Sequence, residues 1–99
     1  MTINEFLNLA KKKGFRDTFQ VLTQFKNYET DKHTFYNELN KFSYYNSFFR
    51  VKEDLIDKGL IKIEKNAKKK MVKLTKIGLD VYNKLIEIND LINHSGKKK

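Results

Sequence analysis

Seven lysines against a single acid occupy residues 62 to 76: Lys62, Lys65, Lys68, Lys69, Lys70, Lys73 and Lys76 face only Glu64. Ammonium groups at this density neutralise phosphates and release counterions, which is the chemistry of polyanion binding. Just upstream, "FSYYNSFFR" runs from Phe42 to Arg50. Ser43, Tyr44, Tyr45, Asn46, Ser47 and Arg50 carry donors that suit phosphate oxygens or base edges, and Phe49 suits a thymine methyl. Other chemistries lack their residues. There is no cysteine, which excludes disulfides, thiolate zinc sites and cysteine nucleophiles. His33 and His94 lie far apart without ligand-spaced companions, so no metal is expected. No glycine-rich phosphate loop, Ser/His/Asp set or paired-carboxylate constellation is present, and acids such as Asp54 and Asp57 read as solvated helix surface. The sequence therefore predicts no enzyme, no cofactor and no small-molecule ligand.

The chain has 99 residues and a formal net charge of +9. That excess favours a polyanionic partner and speeds encounter with it. Nearly all the cations are lysine, beside many Asn, Ile, Tyr and Phe, a bias that an AT-rich genome produces without regard to function. A lysine-rich solvated surface is thus the competing explanation, and the placement of the charge must decide. No apolar run approaches the ~20 residues of a bilayer span, and no signal-peptide pattern opens the chain. A soluble, cytoplasmic protein is expected.

The elements that must position these residues can be read from period and caps. Thr2 and Glu5 form a capping box ahead of Ile3, Phe6, Leu7 and Ala10 at helical spacing. Lys11 to Lys13 suit the last turn of that helix, and Gly14 suits a left-handed exit. A second helix is expected from near Asp17, which with Gln20 makes another cap-like pair, with Phe19, Leu22 and Phe25 or Lys26 on one stripe, until "NYETDK" breaks it. A short third helix spans about 34–41, with Phe35 and Leu39 four apart. A fourth runs from an N-cap at Ser43 to Lys58 and is stopped by Gly59. "LIKIEK" and "MVKLT" alternate around the polar "NAKKK", predicting a β-hairpin. Thr75 then caps a final helix to about residue 93, and residues 96–99 form a basic tail. The fold class is mainly α with a small β-hairpin, that is α+β.

Within the fourth helix, Phe48, Val51 and Leu55 share one stripe and should be buried, with Leu60 extending the same core. Tyr44, Tyr45, Asn46, Ser47, Phe49, Arg50 and Glu53 must lie on the other side or near the N-terminal end. An N-terminal turn so furnished is what a major-groove recognition helix presents.

The helix-turn-helix of about 34–58, followed by "KGLI", the hairpin at about 60–75 and "LTKIG", resembles the winged-helix DNA-binding family. Leu55-x3-Gly59-Leu60-Ile61 and Leu74-Thr75-x2-Gly78 are similar to patterns in small regulators of the multiple-antibiotic-resistance and arsenical-repressor types. Phe42-Ser43-Tyr44 is similar to the opening of the recognition helix in compact archaeal proteins that dimerise through a long C-terminal helix. The likeness implies one winged-helix domain over residues 1–95, with an extra N-terminal helix, and an archaeal or viral origin. It puts Ser47, Phe49 and Arg50 toward the groove. Tyr44, Tyr45 and Phe49 are bulkier than the family's usual residues there, so wedging against the first helices or a partner stays an alternative. Lys65, Lys68, Lys69 and Lys70 become the wing's phosphate contacts.

The final helix carries Ile77, Val81, Leu85, Ile88 and Ile92 on one stripe, widened by Leu79, Tyr82, Ile86 and Leu91. That exceeds what one small domain should cover. A homodimer interface of Ile3, Phe6, Leu7, Tyr82, Leu85, Ile86 and Ile88 is expected; mutual covering of the terminal helices within one chain is the alternative. The functional expectation is sequence-specific binding of double-stranded DNA by a nucleoid-associated transcription regulator. An architectural or chromatin protein, and a winged-helix protein-docking module, are the other readings.

Overall fold

The computed structural model describes residues 1–42 and 46–97, with side chains described only up to residue 94. Ser43, Tyr44 and Tyr45, expected to open the recognition helix, lie outside the described residues, as do Lys98 and Lys99 of the basic tail. Thr2 opens the first helix as its sequence predicts, its Oγ1 accepting the Glu5 amide at 3.1 Å. Helix α1 (Ile3–Ala10) then ends earlier than expected. Lys12 is already the N-cap of α2 (Lys13–Leu22), without a side-chain cap. Two expectations are corrected here. Gly14 is not a helix exit but lies in the first turn of α2, where a Cβ would collide with the Ser47 carbonyl. Asp17 is not an N-cap but a mid-helix residue only 2% exposed, with Arg16 Nε 3.6 Å from its Oδ1 and no hydrogen-bond partner for Oδ2. Packing of Gly14, Phe15, Thr18 and Phe19 starts this helix, and a cap search cannot see packing.

The second helix ends at Leu22, short of the expected Phe25 and before "NYETDK" is reached, and "NYETDK" itself holds a strand. A 3-10 turn at Lys26–Tyr28 leads into β1 (Glu29–Asp31). Asp31 caps α3 (Lys32–Leu39), accepting the Thr34 amide at 3.1 Å and its hydroxyl at 2.7 Å. Those bonds, the hydroxyl first, hold the Asp31 carboxyl below its ordinary pKa of 3.8. The sign follows: a depressed carboxylate stabilises above its unfolded pKa, and the gain is lost as pH falls through the folded value. Asp31→Ala should therefore cost about 1 kcal/mol near neutral pH and less than that in acid below the usual carboxylate range. Urea midpoints of the two proteins at neutral and acid pH would check this; a constant gap would assign the loss to something other than the ionised cap.

The expected fourth helix is broken. Helix α4 (Asn46–Phe49) and helix α5 (Lys52–Asp57) are separated at Arg50 and Val51, where Val51 takes φ −116° and ψ −8°. Gly59 ends α5 at φ 73°, the left-handed stop its position predicts. Strands β2 (Ile61–Asn66) and β3 (Lys69–Leu74) form the hairpin and take in Asn66, Lys69 and Lys70 from the expected turn, with β1 on the far side of β3, giving an antiparallel sheet in the order β1-β3-β2. Thr75 Oγ1 accepts the Gly78 amide at 2.9 Å and opens α6 (Lys76–Lys97). That helix continues past the expected end near residue 93 and takes in residues 96 and 97, which were expected in a tail.

One core joins these elements. Phe15, Phe19 and Leu22 of α2, Phe35 and Leu39 of α3, Phe48, Val51 and Leu55, and Leu60, Ile61, Val72 and Leu74 are all buried together. The Phe48, Val51 and Leu55 stripe is fully covered, as its spacing predicts. Phe35 and Phe48 meet edge to face at 4.9 Å, and Tyr82 of α6 stacks on Phe19 at 5.6 Å. The protein is α+β with a winged-helix-like arrangement: helices packed on a small antiparallel sheet, an added N-terminal helix and a long C-terminal one.

Candidate nucleic-acid interface

Pairing along the hairpin places its cations. Ile61 and Ile63 pair with Leu74 and Val72 at the base, toward the core, whereas Lys65 pairs with Lys70 and Asn66 with Lys69 at the tip. Every residue from Glu64 to Lys70 is exposed. Like charges directly opposite one another destabilise a sheet, so the Lys65–Lys70 pair is a local cost to folding. Nearer the base, Lys62 reaches Glu64 at 2.7 Å, and that hydrogen bond, with the charge of Lys62, holds the Glu64 carboxyl below its ordinary pKa. Among the described residues no ion pair engages Lys65, Lys68, Lys69 or Lys70. The chain turns at the tip through Ala67, left-handed at φ 56° without being glycine.

The wing adjoins the helices. Lys69 and Lys70 border an open groove of about 420 Å³ with Asp31, Lys32, His33 and Tyr36 from the start of α3. Lys32 Nζ stands 5.6 Å from the Tyr36 ring centre. Tyr36 in turn meets Phe49 of α4 edge to face at 5.7 Å, and burial pushes its phenol pKa up. A continuous surface thus runs from the wing tip across α3 to α4.

On α4, Asn46 is exposed, Ser47 is half-buried and Phe48 is in the core, and Arg50, the first residue past its end, is exposed. Phe49 does two things at once: it packs on Tyr36 and Phe48 and still leaves 44% of its surface exposed. Lys52 Nζ lies 5.9 Å from the Phe49 ring centre. Ser47 and Arg50 border a second groove with Lys12, Lys13 and Gly14. Sequence reasoning missed Lys32, His33 and Tyr36. They join the wing through β1, whose three residues are too few for an alternation signal, although the basic pair Lys32-His33 was visible beside the Asp31 cap.

The residues expected at a dimer interface divide. Phe6, Tyr82 and Leu85 are half-buried against their own chain's core, while Ile3, Leu7, Ile86 and Ile88 are exposed. Grooves flank α6 on both sides, one shared with Phe15 and Phe19 of α2, the other with Phe6 of α1. Among the described residues, no three His, Cys, Asp or Glu side chains gather as metal ligands, and no helix is long and apolar enough to cross a membrane.

In comparisons with known proteins, no family model, no curated protein and no solved structure matches the chain. The arrangement of elements and the surface they form are therefore the basis for a functional reading.

Proposed function

We propose that the protein is a non-enzymatic, dimeric double-stranded-DNA-binding protein, a winged-helix transcription regulator acting at the nucleoid in the cytoplasm. The observation that carries this reading is the juxtaposition of Lys65 and Lys70 across the wing, continuous through Lys69, Lys32 and Tyr36 with the exposed residues of α4. A sheet that sets like charges opposite one another gives up stability, and local costs of this kind gather at functional sites. In this reading α4 enters the major groove, Arg50 and Asn46 meet base edges, Phe49 offers a thymine methyl contact, and the wing follows the backbone.

Neutralising about five phosphates per dimer predicts a slope near −4 or −5 in log affinity against log salt. Arg50→Ala should weaken binding to a selected site by about 1–3 kcal/mol more than binding to random duplex. Replacing Lys68, Lys69 and Lys70 together by Ala should weaken both about equally. Titrations of selected and random duplexes across salt provide the measurement. A slope close to zero favours the protein-docking reading, and an unchanged specific-to-random ratio in Arg50→Ala favours an architectural protein.

A further inference from the structure

The run Lys11 to Lys13 lies outside the surface that joins the wing to α4, yet the fold carries two of its lysines to the other flank of α4. Lys12 and Lys13 border a groove of about 410 Å³ whose other lining residues are Gly14, Ser47 and Arg50. The two walls meet at backbone, because Gly14 leaves no room for a Cβ beside the Ser47 carbonyl. Lys12, Lys13 and Arg50 are all exposed, and among the described residues none of them is in an ion pair. Among the described residues no carboxylate lines this groove, although Lys12 also borders a separate one that contains Glu5 and Asp54. With Arg50 directed to the base edges, the cleft still offers two ammonium groups and one hydroxyl residue and no acid, which fits an anion of phosphate size.

Its position on α4 gives that anion an identity. Ser47 and Phe49 are two residues apart, about 200° around a helix, so they take opposite flanks. The Phe49 flank leads through Tyr36 to the wing, and the Ser47 flank leads to Lys12 and Lys13. A helix lying in a major groove has a phosphate backbone on either side. We infer that Lys12, Lys13 and Ser47, on the flank of the groove beside Arg50, seat a backbone phosphate of the bound duplex on the side of α4 away from the wing, making the α1–α2 junction a third DNA-contacting element. This inference rests on the DNA-binding reading above.

The test compares two full-length variants that each lose two charges, Lys12→Gln with Lys13→Gln and Lys11→Gln with Lys26→Gln, on one duplex across a salt series. Lys11 does not border the groove. Lys26 precedes Glu29, which pairs with Lys73 at the end of the sheet away from the wing tip. Thermal melts confirm that both variants fold. The first pair should reduce the salt slope by about 2 or more per dimer and the affinity at ~0.1 M salt by about tenfold or more. The second should leave the slope unchanged. Equal effects of the two pairs, with the unmodified protein still binding steeply, overturn the phosphate seat and leave the DNA-binding reading intact; no salt-dependent binding by the unmodified protein overturns both. Because the chain is free of cysteine, Lys13→Cys and Lys26→Cys can each carry an iron chelate for backbone cleavage. Strand scission beside the site from position 13 alone is expected, and its absence from position 13 overturns the proposal.

Discussion

Gly14→Val should destabilise the protein by about 3 kcal/mol or more, and Gly14→Ala by a smaller amount of the same sign. Helix propensity alone predicts the opposite for alanine, since Gly inside a helix is about 1 kcal/mol worse than Ala. The local contact decides otherwise. A Cβ on Gly14 would lie 2.5 Å from the Ser47 carbonyl carbon and 3.1 Å from the Phe48 nitrogen. Both are backbone atoms, so no side chain can swing away, and relief requires α2 and α4 to separate. Phe48 and Phe15 lie in the core on either side of that junction, so separation also opens apolar surface. A valine adds a branched side chain to the overlap. Gly59→Ala is the informative comparison: its φ of 73° is strained for alanine, but nothing lies within 4 Å of its Cβ position, so about 1 kcal/mol is expected there. Urea unfolding reads all three. A higher midpoint in Gly14→Ala would mean that α2 and α4 do not approach through their backbones. Folded protein that remains at low temperature should also bind DNA more weakly, because Ser47 and Arg50 move with α4.

The same residue shows how much of this fold its sequence makes legible. Periodicity works where a stripe is long or a cap is local. Phe48, Val51 and Leu55, the alternating hairpin, the Thr2 and Thr75 caps and the left-handed Gly59 are all found where spacing places them. It fails where a distant partner sets the conformation. Gly14 follows Lys11 to Lys13 and so looks like a helix end, but its lack of a side chain serves an approach to Ser47, thirty-three positions on. Asp17 and Gln20 look like a cap pair, yet α2 already begins at Lys13. Strand β1 exists because β3 supplies its hydrogen bonds, and nothing in three residues announces that. For the candidate interface, wing charge and α4 were legible as linear runs. The contributions of Lys32, Tyr36, Lys12 and Lys13 arise only when separate helices converge, which no single run encodes.

If the proposed dimer forms, replacing Ile88 and Ile92 together by Glu should give a folded monomer that binds DNA about 10²–10⁴-fold more weakly than the unmodified protein. Helix α6 has 22 residues, and its first half is fixed to the domain: Gly78 is packed against the Leu60 carbonyl, and Leu79, Val81, Tyr82 and Leu85 join the core. From Ile86 to His94 every residue is exposed. A helical stretch this short without tertiary packing is marginal in water, and here it also exposes Ile86, Ile88, Leu91 and Ile92. Both costs are removed if a second copy of the helix covers it. Val81, Leu85, Ile88 and Ile92 recur at intervals of four, three and four, the spacing of a seam between paired helices. Glutamates at 88 and 92 would place unpaired charge in that seam without touching the buried core. The DNA penalty follows because two joined domains bind two half-sites, about 10 base pairs apart, as one linked event. Sedimentation at tens of micromolar decides between the states: a dimer that the double substitution dissociates, with circular dichroism of the domain retained, is the expected outcome. If the unmodified chain sediments as a monomer, the projecting half of α6 has no second copy to pair with, and a twofold operator is not what this protein reads.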